Sequence, residues 1–143
     1  MNHMTKVILI SAGDPDSIST EITIKAIQHS KMNKNVKPVV VSNSKIIEDC
    51  KKSIGSKIQL NEIKDKVNFS DFKENFLNIL SIKLPDDNIL GNRDIKFSSF
   101  IQNSIITCVK TEMNSVASAI VTNPISKNTV SYTHLTLPTK RIV

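Results

Sequence analysis

Two stretches of this sequence place small polar groups where an aliphatic run stops. Ser11-Ala12-Gly13-Asp14-Pro15 closes the run at residues 7–10 and leads through Ser17-Ile18-Ser19-Thr20-Glu21 into a helical pattern. Val121-Thr122-Asn123-Pro124-Ile125-Ser126-Lys127 closes a second run and adds a lysine. Hydroxyl, amide and carboxylate groups so placed can hold a polar substrate, and free N–H groups at a following helix start favour an anion. Polar strand ends are also ordinary turn chemistry, so the two stretches mean more together than singly. Gly13, Gly55 and Gly91 are the only glycines. Neither a G-x-G-x-x-G fingerprint nor a P-loop can be built from them, which excludes an ordinary Rossmann site even where a dinucleotide is involved.

The elements that must position these stretches follow from hydrophobic period and punctuation. Lys6–Ser11 reads as a buried strand. Ile18, Ile22, Ala26 and Ile27 recur at helical spacing, with Ser17 as the expected cap and Glu21 in the first turn, where its charge suits the dipole. Residues 38–42 read as a second strand. A second helix is expected to be capped by Ser44, to carry Ile46, Ile47, Cys50 and Ile54 on one face, and to stop at Gly55 after Lys51 and Lys52. Residues 58–63 read as a short third strand. Residues 68–82 fit a helix or a strand, and the second half favours a strand. Residues 85–92 read as a polar loop. Residues 94–114 are the clearest helix, with Phe97, Phe100, Ile101, Ile105, Cys108, Val109 and Met113 in one stripe. Residues 117–122 read as a strand broken by Asn123-Pro124. Strands alternating with helices predict an α/β fold with a parallel-type sheet and flanking helices.

Bulk properties narrow the function classes. A length of 143 residues suits one domain, and a hydrophobic fraction of 39% permits a core. The core must be aliphatic, because aromatics make up 4% and there is no Trp. The net charge of +6 comes from scattered lysines, with arginine only at positions 93 and 141, which argues against a nucleic-acid partner. The run at residues 7–10 is too short for a signal peptide or a membrane span, so a cytoplasmic protein is expected. Cys50 and Cys108 lie far apart within apolar helical patterns and read as small buried hydrophobes in a reducing compartment.

Ile10-Ser11-Ala12-Gly13-Asp14-Pro15, followed by Ile18 and Glu21, resembles the opening G-D-P-x-G-I-G-P-E motif of the 4-hydroxythreonine-4-phosphate dehydrogenase family. Ala119-Ile120-Val121-Thr122-Asn123-Pro124-Ile125-Ser126-Lys127 resembles the A-x-V-T-x-P-x-x-K segment of the same family. The order of intervening elements fits too, and the resemblance covers about residues 5–128, under half of a family member. It implies the N-terminal part of an isocitrate/isopropylmalate dehydrogenase-like fold. It also implies NAD-dependent oxidation and decarboxylation of 4-phosphooxy-L-threonine, a phosphorylated amino acid, on the route to pyridoxal 5'-phosphate. Family members act as homodimers and use a divalent metal ion held by histidines, which would polarise the oxygen being oxidised. Carried over position by position, the resemblance makes Gly13, Asp14, Glu21, Thr122, Asn123 and Lys127 substrate- or cofactor-binding candidates. It assigns no catalytic residue and no metal ligand. Ser17, Ser19 and Thr20 stand where the family has glycines and a proline, so this loop must take its shape by other means.

The family's Gly-His-Thr segment and later metal-binding histidines have no counterpart here. His134 lies in a Thr-His-Leu setting that matches a family metal ligand, but the strand and segment that should precede it are missing. A catalytic site of this kind needs about three protein ligands. His3 and His29 match no family ligand, and His29 near a helix end suits the dipole. Residues 1–129 therefore read as an incomplete dehydrogenase domain, inactive alone. Residues 130–143 read as a non-native tail, because they resemble translated sequencing-adapter DNA and the family pattern stops abruptly after Lys127. Two other readings compete: a short binding or dimerisation module, and an unrelated phosphate-binding α/β domain. Reading the genomic locus past Lys127 discriminates. A Gly-His-Thr segment followed by further histidines is expected, whereas a continuous native frame encoding residues 131–143 contradicts the reading.

Overall fold

Aliphatic residues in unbroken runs can be buried on both faces of a sheet, and here the central strands are covered by helices on each side. The structure is a computed structural model and describes residues 6–15, 17–31, 34–63, 69–84, 93–113 and 117–125. The elements run β1 (Lys6–Ser11), α1 (Ser19–His29), β2 (Val36–Ser42), α2 (Ser44–Ser53), β3 (Gln59–Ile63), a 3-10 turn (Phe69–Asp71), β4 (Phe76–Ser81), α3 (Arg93–Met113) and β5 (Ala119–Val121). The five strands form one sheet in the order β3-β4-β2-β1-β5, and every pairing is parallel. The expected α/β architecture with a parallel sheet and flanking helices is what the chain adopts.

Side-chain alternation divides the core. Val7, Leu9, Val39, Val41 and Leu80 pack with Cys108 of α3 on one face. Val40, Leu77 and Ile79 pack with Ile24 of α1 and Ile47 of α2 on the other. Phe100, Ile101 and Ile105 of α3 meet Ala12 beyond the end of β1. The α3 stripe is as expected at Phe100, Ile101, Ile105 and Cys108, which are buried. The Met113 side chain and residues 85–92 lie outside the described residues.

Several boundaries differ from the sequence reading, each for a local reason. Ile18, not Ser17, is the N-cap of α1, and it makes no side-chain cap bond. Ser17 Oγ instead accepts from the N–H of Ser19 at 3.1 Å, one residue into the helix. Asn43, not Ser44, caps α2: its Oδ1 accepts from the Lys45 N–H at 2.9 Å. Asn43 Nδ2 also donates to the Ile82 carbonyl at 2.7 Å, so the cap fastens α2 to the end of β4. Gly55 ends α2 as expected, with φ +69°. Its N–H donates to Lys52 and that of Ser56 to Lys51, closing a Schellman motif. β5 is shorter than expected at Ala119–Val121, and the first half of residues 68–82 holds a 3-10 turn rather than a helix. Asn61 Nδ2 donates to the Asp71 carbonyl at 2.6 Å at the end of that turn, and the chain after it is held by Asn78. Asn78 is buried in β4, accepts from the Lys73 N–H at 2.9 Å and the Asn61 amide at 2.7 Å, and donates to the Lys73 carbonyl at 3.0 Å.

Cys108 is fully buried, as expected, and Cys50 is half-buried. Burial pushes the Cys108 thiol up to about 12. Burial, then the Glu21 carboxylate, raises Cys50. A thiol whose folded pKa lies above its unfolded one stabilises the fold fully below the unfolded value and ceases to as pH rises through the folded value. The stability difference between wild type and Cys108→Ala, read from urea unfolding, should be constant below pH 9.0 and shrink between there and about 12.

Candidate functional site

Ligands of open parallel sheets bind beyond the carboxyl ends of the strands. β1 and β5 are neighbours, with Ile10 opposite Val121, so the two polar stretches leave the sheet side by side. Gly13 sits where they meet. A Cβ there would lie 2.4 Å from Ser19 Oγ, 2.5 Å from Ser19 Cβ and 2.7 Å from the Pro124 carbonyl oxygen. No side chain fits, so glycine is required here for space, whereas Gly55 is required for its positive φ.

Hydrogen bonds fill the surroundings. Ser19 Oγ donates to the Pro124 carbonyl at 3.0 Å, joining the start of α1 to the segment after β5. The Ser17 hydroxyl has one proton to offer and two acceptors, the Asp14 carbonyl and Ser19 Oγ, each 2.8 Å away. Asn123 uses both amide protons: Nδ2 donates to the Ser11 carbonyl and to Thr23 Oγ1, each at 2.8 Å. Thr23 Oγ1 passes its proton to the Ser19 carbonyl at 2.9 Å. Beneath this, Ser104 of α3 accepts from the Ala12 N–H at 2.8 Å and donates to the Val41 carbonyl at 2.6 Å. The departing end of β1 is thereby held by α1, α3, β2 and the segment after β5. Ser11 Oγ, fully buried, has no hydrogen-bond partner among the described residues.

The structure brings together Gly13, Asp14 and Asn123 among the candidates. Glu21 stands in the first turn of α1, but its carboxylate pairs with Lys25 at 2.6 Å. Thr122 is exposed. Lys127 lies outside the described residues, as do His3 and His134. His29 is exposed in the last turn of α1. Sequence reasoning missed Ser19, Thr23 and Ser104. Ser19 and Thr23 are four apart, hence on one helix face. Ser104 interrupts the apolar stripe of α3, and a small hydroxyl in such a stripe is the signal that could have found it.

A cavity of about 10 Å³ lies among Gly13, Thr20, Thr23, Ser42, Ile47 and Asn123. That is room for one water, far short of a nucleotide. Among the described residues, no three His, Cys, Asp or Glu side chains lie together as a metal site. A larger groove of about 630 Å³ opens at the other end of the sheet, away from this cluster.

No protein-family model and no curated protein sequence matches this chain. Its fold is nevertheless that of solved structures of 4-hydroxythreonine-4-phosphate dehydrogenases. A Salmonella typhimurium protein assigned as such an enzyme aligns with 94% of this chain at TM-score 0.76 and 20% identity. The Burkholderia phymatum enzyme aligns with 92% at TM-score 0.72 and 18% identity. That of Klebsiella pneumoniae aligns with 94% at TM-score 0.70 and 18% identity. The chain spans 42%, 39% and 41% of those proteins respectively.

The site's geometry gives a ranked expectation for stability. Gly13→Ala should cost about 3 kcal/mol, at the upper end for overpacking. Asn123→Ala should cost about 1–3 kcal/mol for two lost hydrogen bonds, and Gly55→Ala about 1–2 kcal/mol for a left-handed residue. Denaturant midpoints check the order. A Gly13→Ala protein as stable as wild type would contradict the convergence at Gly13.

Proposed function

We propose that this chain is the N-terminal part of a dehydrogenase of the 4-hydroxythreonine-4-phosphate dehydrogenase type. The observation that carries the reading is the meeting of the two sequence motifs. They are separated by about a hundred residues, yet Ser19 to Pro124 and Asn123 to Ser11 are direct hydrogen bonds. That meeting occurs at the carboxyl ends of adjacent parallel strands, in a fold shared with solved enzymes of this type.

On this reading the complete enzyme oxidises 4-phosphooxy-L-threonine in pyridoxal 5'-phosphate biosynthesis, acts as a homodimer in the cytoplasm, and uses NAD and a divalent metal ion. NAD would supply the hydride acceptor, and the metal a Lewis acid for the oxygen being oxidised. The described residues fit neither group as a whole site, since they bring no cluster of metal donors and enclose room for one water. The contribution of this chain is positioning. Asn123 and Ser19 fix the backbone of both loops, and Gly13 leaves the space in which they touch. The first turn of α1 offers N–H groups without intrahelical acceptors, of which that of Ser19 is occupied by Ser17. The remaining ones suit the phosphate of the substrate. Asp14 and Thr122 stand at the rim, and Lys127, outside the described residues, is a further substrate- or cofactor-binding candidate. Residues 1–129 are then an incomplete domain and residues 130–143 no part of it.

The test is NADH formation from 4-phosphooxy-L-threonine by two proteins, this chain and the protein encoded by the uninterrupted native gene. Turnover by the longer protein with none by this chain is expected. Turnover by this chain alone, or none by a folded longer protein supplied with divalent metal, would contradict the reading.

A further inference from the structure

The groove at the amino ends of the strands has a structural cause. β1 accompanies β2 from Val36 onward, but β4 joins β2 only from Val40. The first residues of β2 therefore have no strand on that side, and Pro38, which has no N–H to donate, occupies the unpaired stretch. Pro38, Ile58, Phe72 and Phe76 give the resulting hollow of about 630 Å³ an apolar lining. Small-molecule pockets commonly fall between about 300 and 1,000 Å³.

Its charge is one-sided. Lys34 and Lys57 line it, and neither has an ion-pair partner among the described residues. Lys37 Nζ lies 5.1 Å from the Phe72 ring centroid and Lys73 Nζ lies 5.5 Å from that of Phe76, so further positive charge sits beside the aromatic walls. Glu74 is the one acidic residue among the described residues of the lining. The walls are also braced. Ser56 Oγ donates to Gln28 Oε1 at 2.7 Å, tying the residues ahead of β3 to the end of α1. The buried Asn78 holds the turn carrying Glu74 and Phe76 through the Lys73 N–H and the Phe76 carbonyl.

We propose that this groove binds a small organic anion with a flat apolar body, the ring lying against Phe72 and Phe76 and the anionic head between Lys34 and Lys57. It is a second site, at the opposite end of the sheet from the Gly13 cluster, and does not depend on the dehydrogenase reading. The test uses the full chain and α-naphthyl phosphate as the probe, followed by amide chemical shifts. Saturable binding is expected, with shifts at residues 34, 57, 58 and 72–76. α-Naphthol and inorganic phosphate should each bind at least about tenfold more weakly, since each keeps half of the recognition. Lys34→Gln with Lys57→Gln should weaken the probe by about tenfold while leaving the melt unchanged, because both side chains are at the surface. Equal binding of α-naphthol or of phosphate, shifts confined to residues 11–23 and 122–125, or no saturation at millimolar probe would each overturn the proposal.

Discussion

The arrangement described above depends on one close approach. Position 13 carries no side chain, and through that gap the Ser19 hydroxyl reaches the Pro124 carbonyl at 3.0 Å. Everything at the carboxyl end of the sheet is arranged around this point. The loop after β1 can lie flat against the segment after β5 only because nothing projects between them. Once they are in contact, Asn123 can span from the Ser11 carbonyl to Thr23 and lock α1 onto both. A methyl group at position 13 would separate the loops and leave those buried donors and acceptors unpaired, which costs more than the contacts themselves are worth.

The same end of the molecule shows how the fold combines an apolar sheet with polar function. β1, β2 and β4 pack on one face against Ile24 of α1 and Ile47 of α2, and on the other against Cys108 of α3. Past the last strand residues the lining changes to hydroxyls and amides, and nearly all of them are satisfied internally. Ser17 and Ser19 fix the path into α1 by hydrogen bonding. The exception is Ser11 Oγ, buried and without a partner among the described residues. An orphan hydroxyl of this kind costs on the order of 1–3 kcal/mol, and it lies at the point where the two stretches leave the sheet.

Much of this was legible in the sequence, because the signals were strong and local. Uninterrupted aliphatic runs marked β1 and β2, a long apolar stripe marked α3, and Gly55 after two lysines marked the end of α2. The pairing of two distant motifs was legible through their resemblance to one family. The caps were missed by one residue each, since Ser17, Ser44 and Asn43 are all competent acceptors and only the backbone angle decides which acts. The 3-10 turn was hidden because Asn61 of β3 holds its Asp71 carbonyl, a contact between elements that periodicity does not carry. The role of Ser104 was hidden for the same reason: its partners, Ala12 and Val41, are on other elements. The amino-end groove follows from strand register, which the sequence pattern left open.

Under the proposed function, the carboxyl ends of β1 and β5 are one wall of a binding site that the complete enzyme closes. The most direct measurement is a crystal structure of that enzyme with 4-phosphooxy-L-threonine bound. The account predicts ligand density against the start of α1 and the segment at residues 122–125, with the Ser19 to Pro124 and Asn123 to Thr23 hydrogen bonds intact. Ligand seated elsewhere, with these loops apart, would contradict it.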